Sequence, residues 1–290
     1  MIASGFQHTL RTSAKVSGFG YWSGQDIDVE FHPASADTGI VFVRSDAANA
    51  RLPLSVANRI DMPRRTTLAV GDVRVEMVEH IAAALAGLGI DNCEVRVDGI
   101  EMPGLDGSAA GFVDAIDAAG VLQQAASRQP LYITQAIRVG DEQAWIEAEP
   151  ADDGQLTLEY RLDYGEGNAI GRQTLRRTIS PELVRTELAP ARTFLFKHEA
   201  DWLRSQGLGG RVTTSDLLIF DEQGPIDNPL RFEDECVRHK MLDLVGDLSL
   251  AGRPIVGRVT AYRTGHQRNA ELVRQLLAAE SQLPARRLTA

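Results

Sequence analysis

Two polar side chains in one predicted helix have a spacing that suits metal binding. His239 and Asp243 lie at positions i and i+4 of a strongly helical segment, so both side chains leave the same face. A histidine and a carboxylate one turn apart are a common beginning of a metal site. Asp247 continues that face one turn later. Taken alone, the pair is more often a solvated helix face with an ion pair, so a metal site requires further ligands.

A second pair of ionisable residues opens a helix of small and apolar residues. Glu79 and His80 precede the run from Ala82 to Ala86, which is typical of a tightly packed core helix. Burial of these two groups without partners would cost several kcal/mol or shift their pKa values. One explanation is structural: Glu79 stabilises the first helical turn, and His80 is a hydrogen-bonded core histidine. The other explanation is chemical and requires the two helices to meet.

If the two helices face each other, His80, His239 and Asp243 converge. Two imidazoles and one carboxylate suit zinc and leave a fourth position for water. Glu79, next to a ligand, could then take a proton from that water. His266 opens the last predicted helix and could be a second proton carrier or an oxyanion stabiliser, although a lone histidine in a turn is usually at the surface.

Strands and helices alternate in a similar order in both halves of the chain. Period-two alternation and short apolar runs predict strands at residues 27–31, 39–43, 93–97, 145–148, 156–160 and 255–261. Helical periodicity and stop residues predict helices at about 76–88, 108–120, 233–248 and 266–280. Residues 123–129 are small and polar, which indicates a linker. A few residues also recur with the same spacing in both halves. This similarity reflects either chance or duplication into two similar α+β domains.

Composition excludes several classes of protein. The 290 residues suffice for two domains, and 40 acidic against 30 basic side chains give a net charge of −10, which argues against nucleic-acid binding. No stretch approaches the roughly 20 apolar residues of a membrane span, and residues 1–23 contain no secretory signal. Cys93 and Cys236 lie far apart, so we expect no disulfide framework and a cytoplasmic location. A small-molecule substrate, phosphorylated or not, remains compatible with this charge.

Several motifs occur in order along nearly the whole chain. They are Val78-Glu79-His80 followed by residues 82–92, Leu105-Asp106-Gly107-Ser108, Ala191-Arg192-Thr193-Phe194, residues 230–243, Gly246-Asp247-Leu248 and Gly265-His266. This set closely resembles the LpxC family, the UDP-3-O-acyl-N-acetylglucosamine deacetylases of lipid A synthesis. The motifs are highly specific, so the resemblance predicts both fold and chemistry.

The resemblance implies a particular catalytic site. It implies one zinc ion per chain, with Fe²⁺ as an alternative, bound by His80, His239 and Asp243. It implies Glu79 as the general base on water and His266 as the proton donor, with Asp247 as the partner of His266. It implies that Thr193 helps to bind the oxyanion and that Lys240 contacts the phosphate or sugar of the substrate.

The resemblance also implies the family fold. We expect two similar α+β domains, each a β-sheet packed on paired helices, with the helices sandwiched between the two sheets and one small insert per domain. The predicted domains are residues 1–125, with an insert at about 43–64, and residues 131–290, with an insert at about 197–229. The second insert would form a hydrophobic passage for the acyl chain. Phe194 and Phe196, which alternate as in a core strand, could instead form a groove wall that contacts the substrate. We expect a monomer.

Four positions depart from the family pattern. Trp22 replaces a histidine near the N-terminus, Met77 replaces a threonine, and Ala144 falls where some members have a substrate-binding lysine. Arg263 replaces a usual lysine and could still bind phosphate, in a bidentate manner. The metal and proton-transfer residues are kept, whereas substrate-contacting positions differ. We therefore expect that the chain hydrolyses its substrate and that its substrate specificity could differ from that of the family.

Three functions follow in order of preference. The first is zinc-dependent hydrolysis of the N-acetyl group of UDP-3-O-acyl-N-acetylglucosamine, with release of acetate. The second is the same chemistry on a different N-acetylated sugar or glycolipid, which Trp22 and Ala144 motivate. The third is a non-catalytic nucleotide-sugar binding protein, against which the intact set of acid, base and metal residues argues. Metal analysis and an acetate-release assay separate the three.

Overall fold

A computed structural model describes residues 5–282. In the first half of the chain the strands are β1 (Phe6–Leu10), β2 (Ala14–Phe19), β3 (Asp26–Pro33), β4 (Ile40–Arg44), β5 (Ala50–Pro53), β6 (Arg59–Met62), β7 (Arg65–Val70), β8 (Val73–Glu76), β9 (Cys93–Val97) and β10 (Val121–Ser127). The helices of this half are α1 (Glu79–Gly87) and α2 (Ala110–Ala119).

The second half contains eight further strands within the described residues. They are β11 (Leu131–Tyr132), β12 (Ile137–Gly140), β13 (Trp145–Glu149), β14 (Leu156–Asp163), β15 (Arg172–Thr178), β16 (Phe194–Phe196), β17 (Leu218–Phe220) and β18 (Ile255–Tyr262). The helices are α3 (Pro181–Leu183), which continues into a π-turn at Val184–Leu188, α4 (Lys197–Ser205), α5 (Glu235–Leu248) and α6 (His266–Ser281). The predicted α+β fold class is confirmed.

The two large sheets have the same topology. The first has the strand order β2-β3-β9-β4-β5, in which β4 and β9 are parallel and the other neighbours are antiparallel. The second has the order β12-β13-β18-β14-β15, in which β14 and β18 are the parallel pair, while the short β11 adds in parallel to the start of β18. In each half one helix precedes the third strand of this order and another follows it. A duplicated unit explains this repeat better than chance does; the domain limits themselves stay a prediction.

Alternating side chains decide which face of each sheet is buried. In β3, Ile27, Val29 and Phe31 are buried while the residues between them are more exposed. This period-two pattern places one face of the strand on the core and the other towards solvent. Each sheet therefore requires a cover of helices on its apolar face, and α2 packs on β2 as α5 packs on β14.

Helices α1 and α5 meet in the middle of the molecule. Their packing is close at Gly246, because a Cβ atom added there would lie 2.2 Å from the carbonyl oxygen of Glu79. Only a glycine lets the two backbones approach so closely. Helix α1 also packs on α2, and α5 packs on α6, so the paired helices lie against each other.

Several boundaries differ from the sequence-based expectation. The first insert was expected at about 43–64, but the end of β4 and all of β5 fall in this range and belong to the first large sheet. The predicted linker at 123–129 is wrong, because β10 covers most of it and pairs in antiparallel with β1. The first helix begins at Glu79 and not near Glu76, because Met77 has a left-handed φ of 58° that ends β8 before the helix starts. Residues 59–76 form a small antiparallel sheet in the order β6-β7-β8. No helix within residues 5–282 is both long and apolar enough to cross a membrane.

Candidate active site

Helices α1 and α5 bring three potential metal ligands together. One ligand atom each of His80, His239 and Asp243 lies within 4.8 Å of the other two. Oδ1 of Asp243 is 3.6 Å from Nε2 of His80 and 3.4 Å from Nε2 of His239. The three residues are 6%, 1% and 4% exposed, respectively, for His80, His239 and Asp243. Burial of three such groups side by side costs free energy unless their lone pairs have a partner, such as a bound cation.

Hydrogen bonds orient two of these ligands. Nδ1 of His239 is 3.0 Å from the carbonyl oxygen of Ala191, so this nitrogen carries the proton and Nε2 keeps a free lone pair. Nζ of Lys240 donates to Oδ2 of Asp243 at 2.9 Å, which leaves Oδ1 directed at the imidazoles. The set therefore fits a divalent cation that prefers nitrogen and oxygen ligands.

The charge states of these groups suit cation binding. Burial lowers the pKa of His239 to about 4, so its imidazole is neutral at pH 7 and can act as a ligand. Burial acts to raise the pKa of Asp243, but the positive charge of the Lys240 ammonium, the largest opposing effect, contributes most to holding this pKa well below its usual value. Asp243 is therefore ionised at neutral pH.

Four residues beside the ligands form a closed ring of contacts. The backbone N–H of Thr66 donates to Oε2 of Glu79 at 2.9 Å, and its hydroxyl donates to Oδ1 of Asp247 at 2.6 Å. Oδ2 of Asp247 is 2.9 Å from Nδ1 of His266. Nε2 of His266 lies 4.0 Å from Oε1 of Glu79, which closes the ring.

Opposite effects set the proton affinity of Glu79 and His266. Burial raises the pKa of the Glu79 carboxyl, and the nearby imidazoles only partly oppose this. For His266, burial acts to lower the pKa, but the carboxylate of Asp247 outweighs it and raises the pKa to about 9. Hence His266 holds a proton at neutral pH, and Glu79 binds one more readily than an exposed glutamate does.

A cavity of about 430 Å³ opens beside these groups. Of the residues predicted to bind substrate or oxyanion, it is lined by Trp22, Thr193, Phe194 and Lys240. The ring of Trp22 packs on the guanidinium of Arg65 at 4.4 Å. Thr193 is half-buried, and its hydroxyl makes no hydrogen bond with residues 5–282, so it is free to donate to a ligand.

Two predicted substrate contacts lie outside the cavity lining. Phe196 packs edge-on against Tyr164 at 5.2 Å and stacks on His198. Arg263 is exposed in the turn after β18, with a left-handed φ of 53°. The position of the cavity therefore does not support the predicted contact of either residue with the substrate.

Sequence reasoning missed several polar residues of this site. Arg64, Arg268 and Tyr164 line the cavity, and Thr66 holds two of its carboxylates. Arg268 could have been found, because it lies in the first turn of the helix that His266 opens. Thr66 carries no comparable sequence signal, since it is one of two adjacent threonines in a short strand.

A buried site of two histidines, one aspartate and a neighbouring glutamate, on facing helices, is typical of metal-dependent hydrolases. Residues 7–278 match the family model described as LpxC, UDP-3-O-acyl N-acetylglycosamine deacetylase. The chain belongs to this family. The predicted resemblance and the predicted enzyme class, a deacetylase, are thereby confirmed.

Curated relatives agree with this assignment over nearly all of their length. A protein of an Anaeromyxobacter species is 38% identical over 294 residues, which cover 97% of this chain and 95% of the relative. A protein of Brucella ovis is 38% identical over 279 residues, which cover 95% of this chain and 96% of the relative. Both are named UDP-3-O-acyl-N-acetylglucosamine deacetylase.

Proposed function

We propose that this chain hydrolyses the N-acetyl group of UDP-3-O-acyl-N-acetylglucosamine, releases acetate, and uses one zinc ion held by His80, His239 and Asp243. The observation that carries the proposal is the convergence of these three side chains beside Glu79 in a family of deacetylases. When bound, zinc supplies a Lewis acid for the amide carbonyl and for water. Iron(II) could be held by the same ligands.

The residues around the ligands divide the proton transfers between them. Oε1 of Glu79, the oxygen that Thr66 does not engage, accepts a proton from the attacking water. The water oxygen bonds to the acetyl carbon, and the hydroxyl of Thr193 donates to the oxyanion that develops there. Nε2 of His266 gives its proton to the nitrogen as the carbon–nitrogen bond breaks, so acetate and an amine leave.

The cavity offers both charged and apolar walls for a nucleotide sugar with an acyl chain. Arg64, Arg268 and Lys240 supply cations of the kind that contact phosphate. The apolar wall, which suits the acyl chain, includes Phe194, Leu203, Leu208, Leu217 and Ile219.

One observation favours a second candidate, the deacetylation of a different N-acetylated sugar. Trp22 lines the cavity where the family usually has a histidine, and the guanidinium of Arg65 packs on its indole ring. A larger, less polar wall changes which sugar or nucleotide fits. A non-catalytic binding role is disfavoured, because a binder requires neither the buried Glu79 nor a protonated His266.

Acetate release by the purified protein tests the proposal. We expect one equivalent of zinc per chain and faster hydrolysis of UDP-3-O-acyl-N-acetylglucosamine than of UDP-N-acetylglucosamine. Preference for another acetamido sugar would support the second candidate, and tight sugar binding without any acetate release would overturn the enzymatic proposal. The cytoplasmic location and the monomeric state remain predictions.

A further inference from the structure

We propose that Thr66 is a positioning residue for the deacetylation, because it holds the base Glu79 and the His266–Asp247 pair in one arrangement. This inference rests on the proposed function. The supporting geometry is that one residue donates two hydrogen bonds, from its backbone N–H to Glu79 at 2.9 Å and from its hydroxyl to Asp247 at 2.6 Å.

The hydroxyl of Thr66 helps to fix the rotation of the Asp247 carboxylate, because it holds Oδ1 while other side chains hold Oδ2. Asp247 is 0% exposed, so its oxygens depend entirely on protein donors. Oδ2 faces Nδ1 of His266 at 2.9 Å and accepts from Nδ2 of Asn269 at 2.8 Å. Oδ1 has the Thr66 hydroxyl as its side-chain donor among the described residues. Without that bond only the contacts at Oδ2 would hold the carboxylate, so His266 would have a less rigidly oriented partner.

The backbone of Thr66 is itself fixed to the start of α1. Its carbonyl oxygen accepts from the N–H of Val78 at 3.2 Å, while its own N–H donates to the Glu79 side chain. Thr66 is only 1% exposed, and it lies near the beginning of β7. These contacts leave little freedom for the strand to move relative to the helix. The hydroxyl is thus held at a defined position from which it reaches α5.

The contact between Thr66 and Asp247 also joins the two halves of the chain inside the site. Thr66 and Glu79 belong to the first half, and Asp247 and His266 belong to the second. The base and the acid thus come from different halves, and their separation of 4.0 Å depends on how these halves meet. A short hydrogen bond between two fully buried side chains fixes this relation where the chemistry requires it.

The next threonine provides a matched control. Thr67 is 0% exposed, but its hydroxyl has no hydrogen-bond partner within the described part of the chain. Successive side chains of a strand point to opposite faces, so Thr67 faces away from Asp247. Replacement by valine removes the hydroxyl of either residue while keeping the shape of the side chain. One substitution therefore breaks the bond to Asp247, and the other breaks none.

The experiment compares T66V, T66S and T67V as zinc-loaded enzymes, with kcat calculated per bound zinc at a temperature well below each Tm. We expect Thr66→Val to lower kcat by about 10- to 100-fold with little change in KM, as is typical of residues that orient ligands or catalytic groups. Thr66→Ser should restore kcat to within about threefold of wild type, because it keeps the hydroxyl. Thr67→Val should match wild type in kcat.

Three outcomes would overturn the assignment while leaving the proposed function intact. The first is a Thr66→Val enzyme with wild-type kcat per zinc. The second is a serine variant as slow as the valine variant. The third is an equal loss in Thr67→Val, which would indicate a general effect of the strand. Failure of the wild-type enzyme to release acetate would instead contradict the proposed function.

Discussion

Oε1 of Glu79 lies 4.0 Å from Nε2 of His266, although one residue opens α1 and the other opens α6. Each residue is nearly buried, and each is held from behind by a different partner, Thr66 for the glutamate and Asp247 for the histidine. A base and an acid at this separation can act on the two sides of one amide. The three proposed metal ligands lie beside them, so together with Asp247 six ionisable groups share one buried region.

Removal of a metal ligand should abolish metal binding and activity together. In His80→Ala, Asp243 and His239 retain only two ligand atoms, which is too few for a stable zinc site. We expect metal analysis to find almost no bound zinc. We also expect kcat to fall by more than the roughly 100-fold loss that follows replacement of a residue that only orients a metal ligand. His32→Ala, at a half-buried histidine that pairs with Glu30 away from the cavity, is the control and should keep both. Retention of zinc and activity by His80→Ala would refute the ligand assignment.

Removal of the base should separate metal binding from catalysis. Glu79→Gln keeps the size of the side chain, and its amide oxygen can still accept from the N–H of Thr66. A glutamine cannot take a proton from water, so kcat should fall by about 10²- to 10⁴-fold. Zinc content measured by elemental analysis should remain at one equivalent. An active glutamine variant would show that another group is the base.

The pH dependence of kcat/KM should be bell-shaped. Glu79 must be ionised to accept a proton, so activity rises with pH, and because burial raises the pKa of Glu79 the rise should lie above pH 4.5. His266 must be protonated to donate, so activity should fall as the pH passes about 9. In His266→Gln, kcat should be low and the fall near pH 9 should be absent. Persistence of that fall would assign it to a different group.

The clustering of His80, His239 and Asp243 could be predicted because much of it depends on local spacing. The i, i+4 pair of His239 and Asp243 and the polar start of the helix at His80 are visible in the sequence, and the two helices then meet at Gly246. Family motifs supplied the remaining chemistry and the fold class. Such patterns can be recognised in the sequence because each depends on the residues of a single helix.

Other parts of the site depend on contacts that no local pattern encodes. Thr66 reaches Asp247 because the tertiary fold brings the start of β7 within hydrogen-bond distance of α5, which strand periodicity does not indicate. The prediction of a linker at residues 123–129 was wrong for the same reason, because residues in this range pair with β1 near the start of the chain. Arg263 was expected near phosphate, but a turn with positive φ leaves it exposed. Tertiary contacts override composition in each case.

A buried ion pair should be required for stability and for the shape of the site. Arg192 donates to Oε1 of Glu235 at 2.7 Å and to Oε2 at 3.0 Å, and both residues are almost fully buried. This pair ties the start of α5 to the segment that carries Thr193. Arg192→Met would leave the carboxylate without its cation, and chemical denaturation should show a loss of about 3–5 kcal/mol in the free energy of unfolding. The control is Arg274→Met, which breaks an exposed ion pair with Glu271. This variant should change the free energy of unfolding by less than about 0.5 kcal/mol.

The same pair predicts a loss of stability in acid. Burial acts to raise the pKa of Glu235, but Arg192 and two backbone N–H groups outweigh it and lower this pKa below 4.5. A lowered pKa in the folded state means that the stabilisation is present above pH 4.5 and is lost as the pH falls through the folded-state pKa. Part of the acid dependence of the unfolding free energy should therefore disappear in Arg192→Met. An unchanged dependence would show that other carboxylates account for it.

Trp22 should control which substrate binds and not how fast it reacts. Its ring forms part of the cavity wall and packs on Arg65, and its backbone N–H donates to Oε1 of Glu101 at 2.8 Å. Trp22→His introduces the histidine that the family pattern predicts, keeps the backbone bond and removes the large apolar surface. We expect KM to change by at least about tenfold in a substrate-dependent direction, which corresponds to roughly 1.4 kcal/mol of binding free energy. The measurement is kcat and KM for UDP-3-O-acyl-N-acetylglucosamine and for smaller acetamido sugars.

The split between KM and kcat distinguishes this role from a structural one. Because Trp22 is only a wall residue of the cavity, kcat at saturation should stay within about threefold of wild type for the preferred substrate. Arg65→Met is the companion variant, since it removes the cation beneath the indole and should shift KM in the same direction with a smaller effect. If Trp22→His lowers kcat for every substrate and leaves all KM values unchanged, the tryptophan acts on the catalytic groups and the specificity argument fails.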